Sequence, residues 1–218
     1  MLTADLFYSF RSPYSYLSAA RYRSLTEEYD LKINLRPVYP AAVRDPWFFE
    51  RRNPLFSDYL TMDVARSAEY LGVPCKRPVP DPVQFVTPSK PAESQPYIHR
   101  LTWLGVLAVR EGKGMDFACE IGWALWSEQI EGWDDPEKLA PWIARVGMDL
   151  AEMDRAIIGN ESDLDAEVRA NQKAEEDAGH WGTPCLVFEG EPFFGQDRID
   201  MAIWRMKQRG LEARVSRA

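Results

Sequence analysis

The hydrophobic pattern changes along the chain, from strand-like runs near the start to helical spacing in the middle and back to strand-like runs near the end. Residues 5–10, DLFYSF, form an apolar run that predicts a buried strand. Residues 13–29 predict a helix with Pro13 in its first position, and the alternating stretch LKINLR predicts a second strand that stops at Pro37. A strand, a helix and a strand in this order indicate a βαβ unit with parallel strands.

Residues 41–179 show no strand pattern and predict a block of helices. The first of these is predicted to be capped by Ser57 and to stop at Gly72. Residues 73–96 hold seven of the sixteen prolines, so they are predicted to form an extended connector. Two helices that are apolar on most sides are predicted at 97–112 and 115–130, and three shorter amphipathic ones have start signals at Asp135–Pro136, Asp149 and Ser162.

The last part of the chain predicts a hairpin and a closing helix. Two apolar runs in TPCLVFEGEPFFG flank the turn residues 189–191, which is typical of a β-hairpin, and residues 196–210 show helical spacing. The chain is therefore predicted to be an α/β protein. Its end segments, 1–40 and 180–218, would form one discontinuous domain, and residues 41–179 would form a helical insertion.

Composition and charge narrow the classes of function. The chain has 218 residues, of which 45% are hydrophobic, so it can bury a sizeable core. Its net charge of −8 argues against a nucleic-acid partner, and we interpret the basic stretch 205–217 as a solvated helix end and tail. No stretch approaches the roughly 18 consecutive apolar residues of a membrane span, so we expect no membrane partner.

The cysteines and histidines offer little for metal or disulfide chemistry. Cys75, Cys119 and Cys185 are far apart and form no Cys-x-x-Cys pair, and there are only two histidines, so neither a dithiol motif nor a metal site is predicted. The first residues run straight into a strand pattern, which leaves no room for a signal peptide. We therefore expect a cytoplasmic protein with reduced thiols.

The stretch FYSFRSPYSYL places a hydroxyl at the start of the first predicted helix. Ser12 is a favoured N-cap and Pro13 a favoured first residue, so a structural role accounts for both. The same hydroxyl can also donate to a sulfur anion, because unpaired N–H groups and the helix dipole favour negative charge at this place. Ser12 is therefore a candidate catalytic residue as well as a cap.

Two motifs give the chain a resemblance to a known family. FRSPYSYL after the first strand and WGTPCLVFEGEPFFGQDRID near the end are similar to the motifs of 2-hydroxychromene-2-carboxylate isomerases and kappa-class glutathione transferases, in the DsbA-like branch of the thioredoxin superfamily. The order of the motifs and the long helical segment between them agree with this. The resemblance implies a thioredoxin-like fold with a large all-helical insertion, glutathione as cofactor and a homodimer.

The resemblance also assigns roles at the first helix and at the second motif. Ser12 would stabilise the thiolate of glutathione. The bond between Thr183 and Pro184 would be cis, so that the backbone of Thr183 pairs with the cysteinyl part of glutathione like an added strand. Without the resemblance, this bond would be expected to be trans, since cis is found at only about 5–6% of X-Pro bonds in folded proteins.

Four further residues are implied to bind glutathione. Asp197 would hold the ammonium group of the γ-glutamyl end, assisted by Gln196 and Arg198, and Asn53 in RRNP matches an asparagine at the family's glutathione site. Residue type alone gives each of the two main candidates an alternative role. Asp197 suits a helix cap, and Asn53 suits a turn.

The chain departs from the family at one position near the ligands. Thr61 stands between Leu60 and Met62, where the related isomerases often place a lysine that could steady a substrate carboxylate or phenolate. Five arginines could replace that lysine, although each is by default a solvated surface charge: Arg11, Arg44, Arg51, Arg52 and Arg66.

The resemblance implies a glutathione-dependent isomerase that acts on an unsaturated aromatic substrate. A kappa-like transferase or peroxidase and a non-catalytic thiol-binding module are the alternatives. The three differ in the fate of glutathione, which the isomerase regenerates, the transferase consumes and the binding module leaves unchanged without turnover. The aromatic residues of the insertion would suit a flat, apolar second substrate, although such residues are more often part of a core.

Overall fold

A four-stranded sheet joins the two ends of the chain in the computed structural model, which describes residues 1–45, 47–127 and 130–214. In chain order, the strands are β1 (Leu2–Tyr8), β2 (Leu31–Pro37), β3 (Phe85–Thr87), β4 (Lys90–Pro91), β5 (Cys185–Phe188) and β6 (Glu191–Phe194). The helices are α1 (Pro13–Glu28), α2 (Ala41–Arg44), α3 (Leu55–Leu71), α4 (Pro96–Arg110), α5 (Gly114–Trp126), α6 (Pro136–Arg145), α7 (Leu150–Ile157), α8 (Glu161–Asp177) and α9 (Ile199–Lys207).

The sheet has the order β2-β1-β5-β6 and confirms both predicted supersecondary units. β1 is parallel to β2, with Leu2 opposite Leu31, and α1 crosses between them. β5 is antiparallel to β1 and forms a hairpin with β6, whose turn holds Glu189 and Gly190 at positive φ. The first and last elements of the chain therefore build one mixed sheet, and the fold is the predicted α/β arrangement with a helical insertion.

The insertion is not free of strands, as the sequence had led us to expect. β3 and β4 form a short antiparallel pair inside the proline-rich connector. The amide of Gln95 stabilises this pair, because it donates to the carbonyls of Gln84 and Ala92 at 2.8 Å and accepts from the N–H of Gln84 at 2.9 Å. These contacts join residues up to eleven positions apart, so local periodicity could not indicate them.

Some helices and strands begin or end at residues other than those predicted. β1 covers Leu2–Tyr8 rather than 5–10, α3 begins at Leu55 rather than after Ser57, and α8 begins after Asn160 rather than at Ser162. The Asn53–Pro54 turn sets the start of α3, because the carbonyl of Asn53 accepts from the N–H of Phe56 at 2.9 Å. The caps Asp135 and Asp149 and the left-handed stop at Gly72 were predicted correctly.

The central helices α4 and α5 pack against the sheet and fix the place of the first turn. Gly105 of α4 lies against Phe10, so closely that a Cβ atom would stand 2.6 Å from the Phe10 ring. Trp126 of α5 donates from Nε1 to the Phe10 carbonyl at 3.1 Å and stacks on Tyr16. The helix predicted at 115–130 ends at Trp126, and residues 128–129 lie outside the described part, as do residues 215–217 of the predicted basic tail.

None of the helices in the described residues is both long enough and apolar enough to cross a lipid bilayer.

Candidate functional site

Ser12 lies at the N-terminus of α1, where its hydroxyl contacts the loop before β5. Its Oγ accepts a hydrogen bond from the N–H of Ser15 at 3.2 Å and donates to the carbonyl of Thr183 at 3.1 Å. The first contact makes Ser12 the N-cap of α1, as residue type predicts. The second contact brings Ser12 to the second motif, 171 positions further along the chain.

The first turn of α1 leaves one backbone donor for a ligand. Pro13 has no N–H, the N–H of Ser15 donates to Ser12 Oγ, and the N–H of Tyr16 donates to the Ser12 carbonyl at 3.1 Å. Among the residues that the structure describes, the N–H of Tyr14 has no acceptor. Together with the helix dipole, this donor favours an anion beside Ser12.

The Thr183–Pro184 peptide bond is cis, as the resemblance implied. The carbonyl of Pro184 accepts from the N–H of Gly195 at 2.9 Å, which ties the second motif to the turn before α9. Gly195 has φ of +105°, and a Cβ there would lie 2.6 Å from Oδ1 of Asp197. Glycine is favoured at this position because of its backbone angle, whereas the exposed Asp197 side chain could move away from a Cβ.

Residues 196–198 form a single 3-10 turn beside α1. Arg21 of α1 donates to the carbonyl of Gln196 at 2.8 Å, so the backbone of this turn is held against the first helix. Asp197 is exposed and pairs with Arg198 at 2.7 Å. In the described structure α9 starts after Arg198 without a side-chain cap, so the reading of Asp197 as a helix cap is wrong.

Asn53 occupies the loop before α3 and acts there as a turn former. Its Oδ1 accepts from the N–H of Leu55 at 3.0 Å, and the side chain is exposed. In the described ranges, no hydrogen bond connects it to Ser12. Thr61 does not replace the missing lysine, because its Oγ1 donates back to the Ser57 carbonyl of its own helix at 2.9 Å.

An aromatic wall stands next to this loop. Phe48 contacts Phe49 edge to face with ring centroids 5.3 Å apart, and it contacts Trp181, two positions before Thr183, with centroids 6.0 Å apart. Phe48 and Trp181 line a cavity of about 470 Å³, together with Arg44 and Arg52. A cavity of this volume fits a small molecule, and it opens beside the loop that carries the cis-proline. The motif that begins at Trp181 was identified in the sequence, but no contact with a ligand was expected of Trp181 itself.

No cysteine in the described structure is poised to react. Burial raises the pKa of Cys185, directly after the cis-proline, to about 12, and it raises that of Cys119 to about 12 and that of Cys75 to about 11. A thiol with such a pKa is protonated at neutral pH and is a poor nucleophile. Across the described ranges, no three His, Cys, Asp or Glu side chains are grouped as a metal site.

A buried carboxyl group lies behind the cis-proline loop and escaped the sequence analysis. Glu175 of α8 is 0% exposed and pairs with Arg44 at 3.1 Å, while Arg44 also donates to the carbonyl of Trp181. Burial raises the pKa of Glu175 to about 7, because the loss of hydration outweighs the attraction of Arg44. Arg44 therefore connects α8 to the loop that leads to Thr183.

We expect the stability of the protein to fall as Glu175 ionises. Its pKa is raised in the folded state, so between about pH 4.5 and pH 7 the folded protein binds more protons than the unfolded chain. The unfolding free energy of the wild type, relative to that of Glu175→Gln, should therefore decrease with rising pH by up to about 1.4 kcal/mol per pH unit. Urea unfolding from pH 4.5 to 8 measures this.

The matched control is Glu176→Gln, which removes the exposed neighbouring carboxylate. This control should show the same fall in stability with a small displacement, because the charge of Glu176 makes the smallest contribution to the raised pKa of Glu175. Parallel profiles for the wild type and Glu175→Gln would contradict the assignment.

Comparisons with known proteins agree with the geometry of the fold. A family model described as a DSBA-like thioredoxin domain matches residues 3–203. A search of curated protein sequences finds no significant match.

Several solved structures share the fold over nearly the whole chain. A structure of 2-hydroxychromene-2-carboxylate isomerase is similar with a TM-score of 0.71 and 21% identity, covering 95% of this chain and 96% of that one. A probable DsbA oxidoreductase from Streptomyces coelicolor has a TM-score of 0.66 and 15% identity over 99% and 94% of the chains. The cytosolic disulfide reductase DsbM from Pseudomonas aeruginosa, in its structure with GSH, has a TM-score of 0.58 and 17% identity over 95% and 100%. At these identities, the likeness establishes the fold.

Proposed function

Because this chain belongs to the DSBA-like thioredoxin domain family, we propose that it is a glutathione-dependent isomerase that uses Ser12 in place of a catalytic cysteine. The observation that carries the proposal is a hydroxyl at the helix N-terminus, 3.1 Å from the carbonyl of the cis-proline loop, in a chain in which burial raises the pKa of every thiol. An enzyme built in this way needs a thiol from a second molecule.

The residues around Ser12 fit glutathione as that molecule. Ser12 Oγ and the N–H of Tyr14 can donate to its sulfur, and the carbonyl of Thr183 has a second lone pair for a backbone-like contact. Asp197 presents an exposed carboxylate for the ammonium group. A structure of DsbM with GSH, which has the same fold, supports this choice of ligand. Pro184 and Gln196 would support the site through the backbone contacts described above and Arg198 through its ion pair with Asp197, and Asn53 belongs to it only by the resemblance.

Magnitudes support activation of the thiol. A hydrogen bond to a charged group contributes roughly 1.5–3 kcal/mol, and a helix N-terminus contributes about 0.3–1 kcal/mol. At about 1.4 kcal/mol per pKa unit, these two effects would lower a thiol pKa of about 8.5 by roughly 1.3–3 units. A bound thiol would then be mostly thiolate at neutral pH.

When bound, glutathione would supply a thiolate that adds reversibly to a conjugated double bond and leaves again after rotation about it. The residues of this chain would hold the thiolate and orient the substrate. Ser12 would turn its O–H from the Thr183 carbonyl to the sulfur, while the N–H of Ser15 keeps donating to Oγ and thereby makes the hydroxyl a better donor. Phe48 and Trp181 would hold the flat substrate in the cavity beside it.

Turnover with a thiol balance tests the proposed function. Purified protein is incubated with glutathione and 2-hydroxychromene-2-carboxylate, and both the substrate spectrum and the total free thiol are followed. We expect isomerisation at constant thiol. Stoichiometric loss of thiol would instead assign a kappa-like transferase, and glutathione binding without turnover on this or on electrophilic and peroxide substrates would assign a thiol-binding module.

Asp197→Asn should weaken glutathione binding by at least about tenfold, or 1.4 kcal/mol, because it removes the counter-charge of the ligand's ammonium group. The ion pair with Arg198 is exposed and contributes little to folding, so thermal stability should hardly change. Isothermal titration calorimetry and a melting curve measure the two effects. Equal affinity for both proteins would remove Asp197 from the ligand site.

The remaining expectations rest on the sequence and its resemblance. We propose that the protein is a cytoplasmic homodimer, divided into a discontinuous domain of residues 1–40 and 180–218 and an insertion of residues 41–179. Exposed apolar side chains on α3, such as Leu55 at 72% and Met62 at 55%, are candidates for a dimer contact. Light scattering on the purified protein gives its mass in solution.

A further inference from the structure

The five arginines that could replace the family lysine differ in their partners. Four of them are paired with carboxylates in the structure: Arg11 with Asp81 at 2.8 Å, Arg44 with Glu175 at 3.1 Å, Arg51 with Asp45 at 2.5 Å, and Arg66 with Asp63 at 2.6 Å. Arg52 has no carboxylate partner among the residues that the structure describes. Its only hydrogen bond within those residues goes from one terminal nitrogen to Ser57 Oγ at 3.2 Å.

Arg52 is surrounded by rings instead. Its guanidinium carbon lies 4.2 Å from the ring centroid of Phe49, 4.7 Å from that of Phe56 and 5.0 Å from that of Phe48. Its Nε is buried and, in the described part of the chain, has no hydrogen-bond partner. Three rings hold the planar group in place, but contacts with ring faces leave most of its N–H donors without acceptors.

The groups closest to Arg52 favour an incoming anion, although the carboxylates of Asp45 and Glu176 line the same cavity. Burial and the nearby Arg11 both lower the pKa of Arg52, although the guanidinium stays charged at neutral pH. A carboxylate at this point would accept hydrogen bonds from the free N–H groups of Arg52 in a bidentate pair. It would also offset the repulsion between Arg52 and Arg11. Arg52 thus lacks the negative partner that each of the other four arginines has.

Arg52 is close to the first turn of α1. The guanidinium groups of Arg11 and Arg52 both lie over Phe49, at 6.0 Å and 4.2 Å from its centroid, so they are no further apart than the sum of these distances. Arg11 directly precedes Ser12. Arg52 also lines the cavity that Phe48 and Trp181 border. Neither Arg11 nor Ser12 lines this cavity, so a ligand bound to Arg52 would have to extend past Phe49 to reach the Ser12 turn.

We propose that Arg52 binds a carboxylate group of a ligand held between the cavity and Ser12. This inference rests on the proposed function, since it assigns a specificity-determining residue to the same site. Two carboxylates are available there, the glycine end of glutathione and the acid group of an aromatic substrate. Each of these carboxylates could accept hydrogen bonds from the free edge of the guanidinium group, and binding measurements distinguish between them.

The test compares Arg52→Gln with two matched variants. Arg145→Gln removes the same charge from a side chain outside the cavity, which also lies over a ring, 3.9 Å from the Trp142 centroid, and which pairs with Glu120 at 3.6 Å. Arg52→Lys keeps the charge but loses the planar fork. Calorimetric titration with glutathione, with γ-glutamylcysteine, which lacks the glycine, and with 2-hydroxychromene-2-carboxylate gives three dissociation constants for each protein. Melting curves confirm that every variant is folded.

We expect Arg52→Gln to lose at least tenfold in affinity for one carboxylate ligand, with Arg145→Gln unchanged and Arg52→Lys in between. A loss for glutathione but not for γ-glutamylcysteine assigns Arg52 to the glycine carboxylate, and a loss confined to the aromatic acid assigns it to the substrate. Equal affinities of Arg145→Gln and Arg52→Gln for all three ligands overturn the proposal, as does a wild type that binds none of them. A wild type that binds the aromatic acid but no glutathione contradicts the proposed function alone, and the aromatic acid then tests Arg52.

Discussion

Replacing Ser12 with alanine is expected to raise the pKa of enzyme-bound glutathione by at least about one unit and to slow turnover by roughly 10- to 100-fold. The substitution removes one charge-assisted hydrogen bond, which contributes roughly 1.5–3 kcal/mol to the thiolate and to the transition state that develops from it. The backbone contacts of Thr183 and the donor N–H of Tyr14 stay in place, so glutathione should still bind.

Two measurements separate this effect from the loss of the N-cap. Ultraviolet titration of the bound thiolate gives its pKa, and a melting curve shows the cost of the missing cap, about 1 kcal/mol. Ser12→Thr retains both a cap and a donor, so its thiolate pKa should remain near that of the wild type. An unchanged pKa in Ser12→Ala would remove Ser12 from the mechanism, whatever happens to the melting temperature.

The second large effect is a gain of thiol–disulfide exchange activity in a double cysteine variant. The wild type should show negligible dithiol oxidase or reductase activity, because thiol–disulfide exchange needs an attacking cysteine and the turn offers Ser12 and Ser15. The double variant Ser12→Cys, Ser15→Cys should form a disulfide within the turn and acquire measurable exchange activity. The Oγ of Ser12 lies 3.2 Å from the N–H of Ser15, so the two side chains are neighbours on the first turn of α1, and the helix N-terminus would lower the pKa of the first thiol.

An insulin-reduction assay and thiol counting before and after oxidation measure the gain. The two single variants are the controls, since each has one thiol and cannot close the disulfide. Wild-type activity equal to that of the double variant would mean that another thiol acts, against the burial of Cys185 and Cys119. A double variant that forms the disulfide without exchange would show that the cis-proline loop here no longer accepts a disulfide substrate.

The sequence predicts the parts of this fold that local patterns determine. β2, α1 and the hairpin around Gly190 follow from periodicity and turn residues, and the cap Asp149 follows from residue type. The start of α3 was displaced because the turn at Asn53 dominates over the cap signal of Ser57, which lies inside the helix.

The site was less predictable because its contacts are long-range. The cis state of the bond between Thr183 and Pro184 could be expected from the family resemblance only, since nothing local to that bond favours it. All five arginines looked alike in the sequence. Arg52 differs from the other four because each of those has a carboxylate partner in the structure. The partner of Arg44, for example, is Glu175, 131 positions further along the chain.

The hydrogen bond from Ser12 to Thr183 makes the site selective for charge. The hydroxyl already has an acceptor at 3.1 Å, so a neutral thiol, which is a weak acceptor, would compete poorly for its proton. A thiolate would compete well, because a charge-assisted bond is stronger than the neutral one it replaces. The affinity for glutathione therefore depends on the ionisation of its thiol, and glutathione should bind more tightly as pH rises towards the pKa of the free thiol. The Thr183 carbonyl determines how strong an acceptor the sulfur must be to take the hydrogen bond of Ser12.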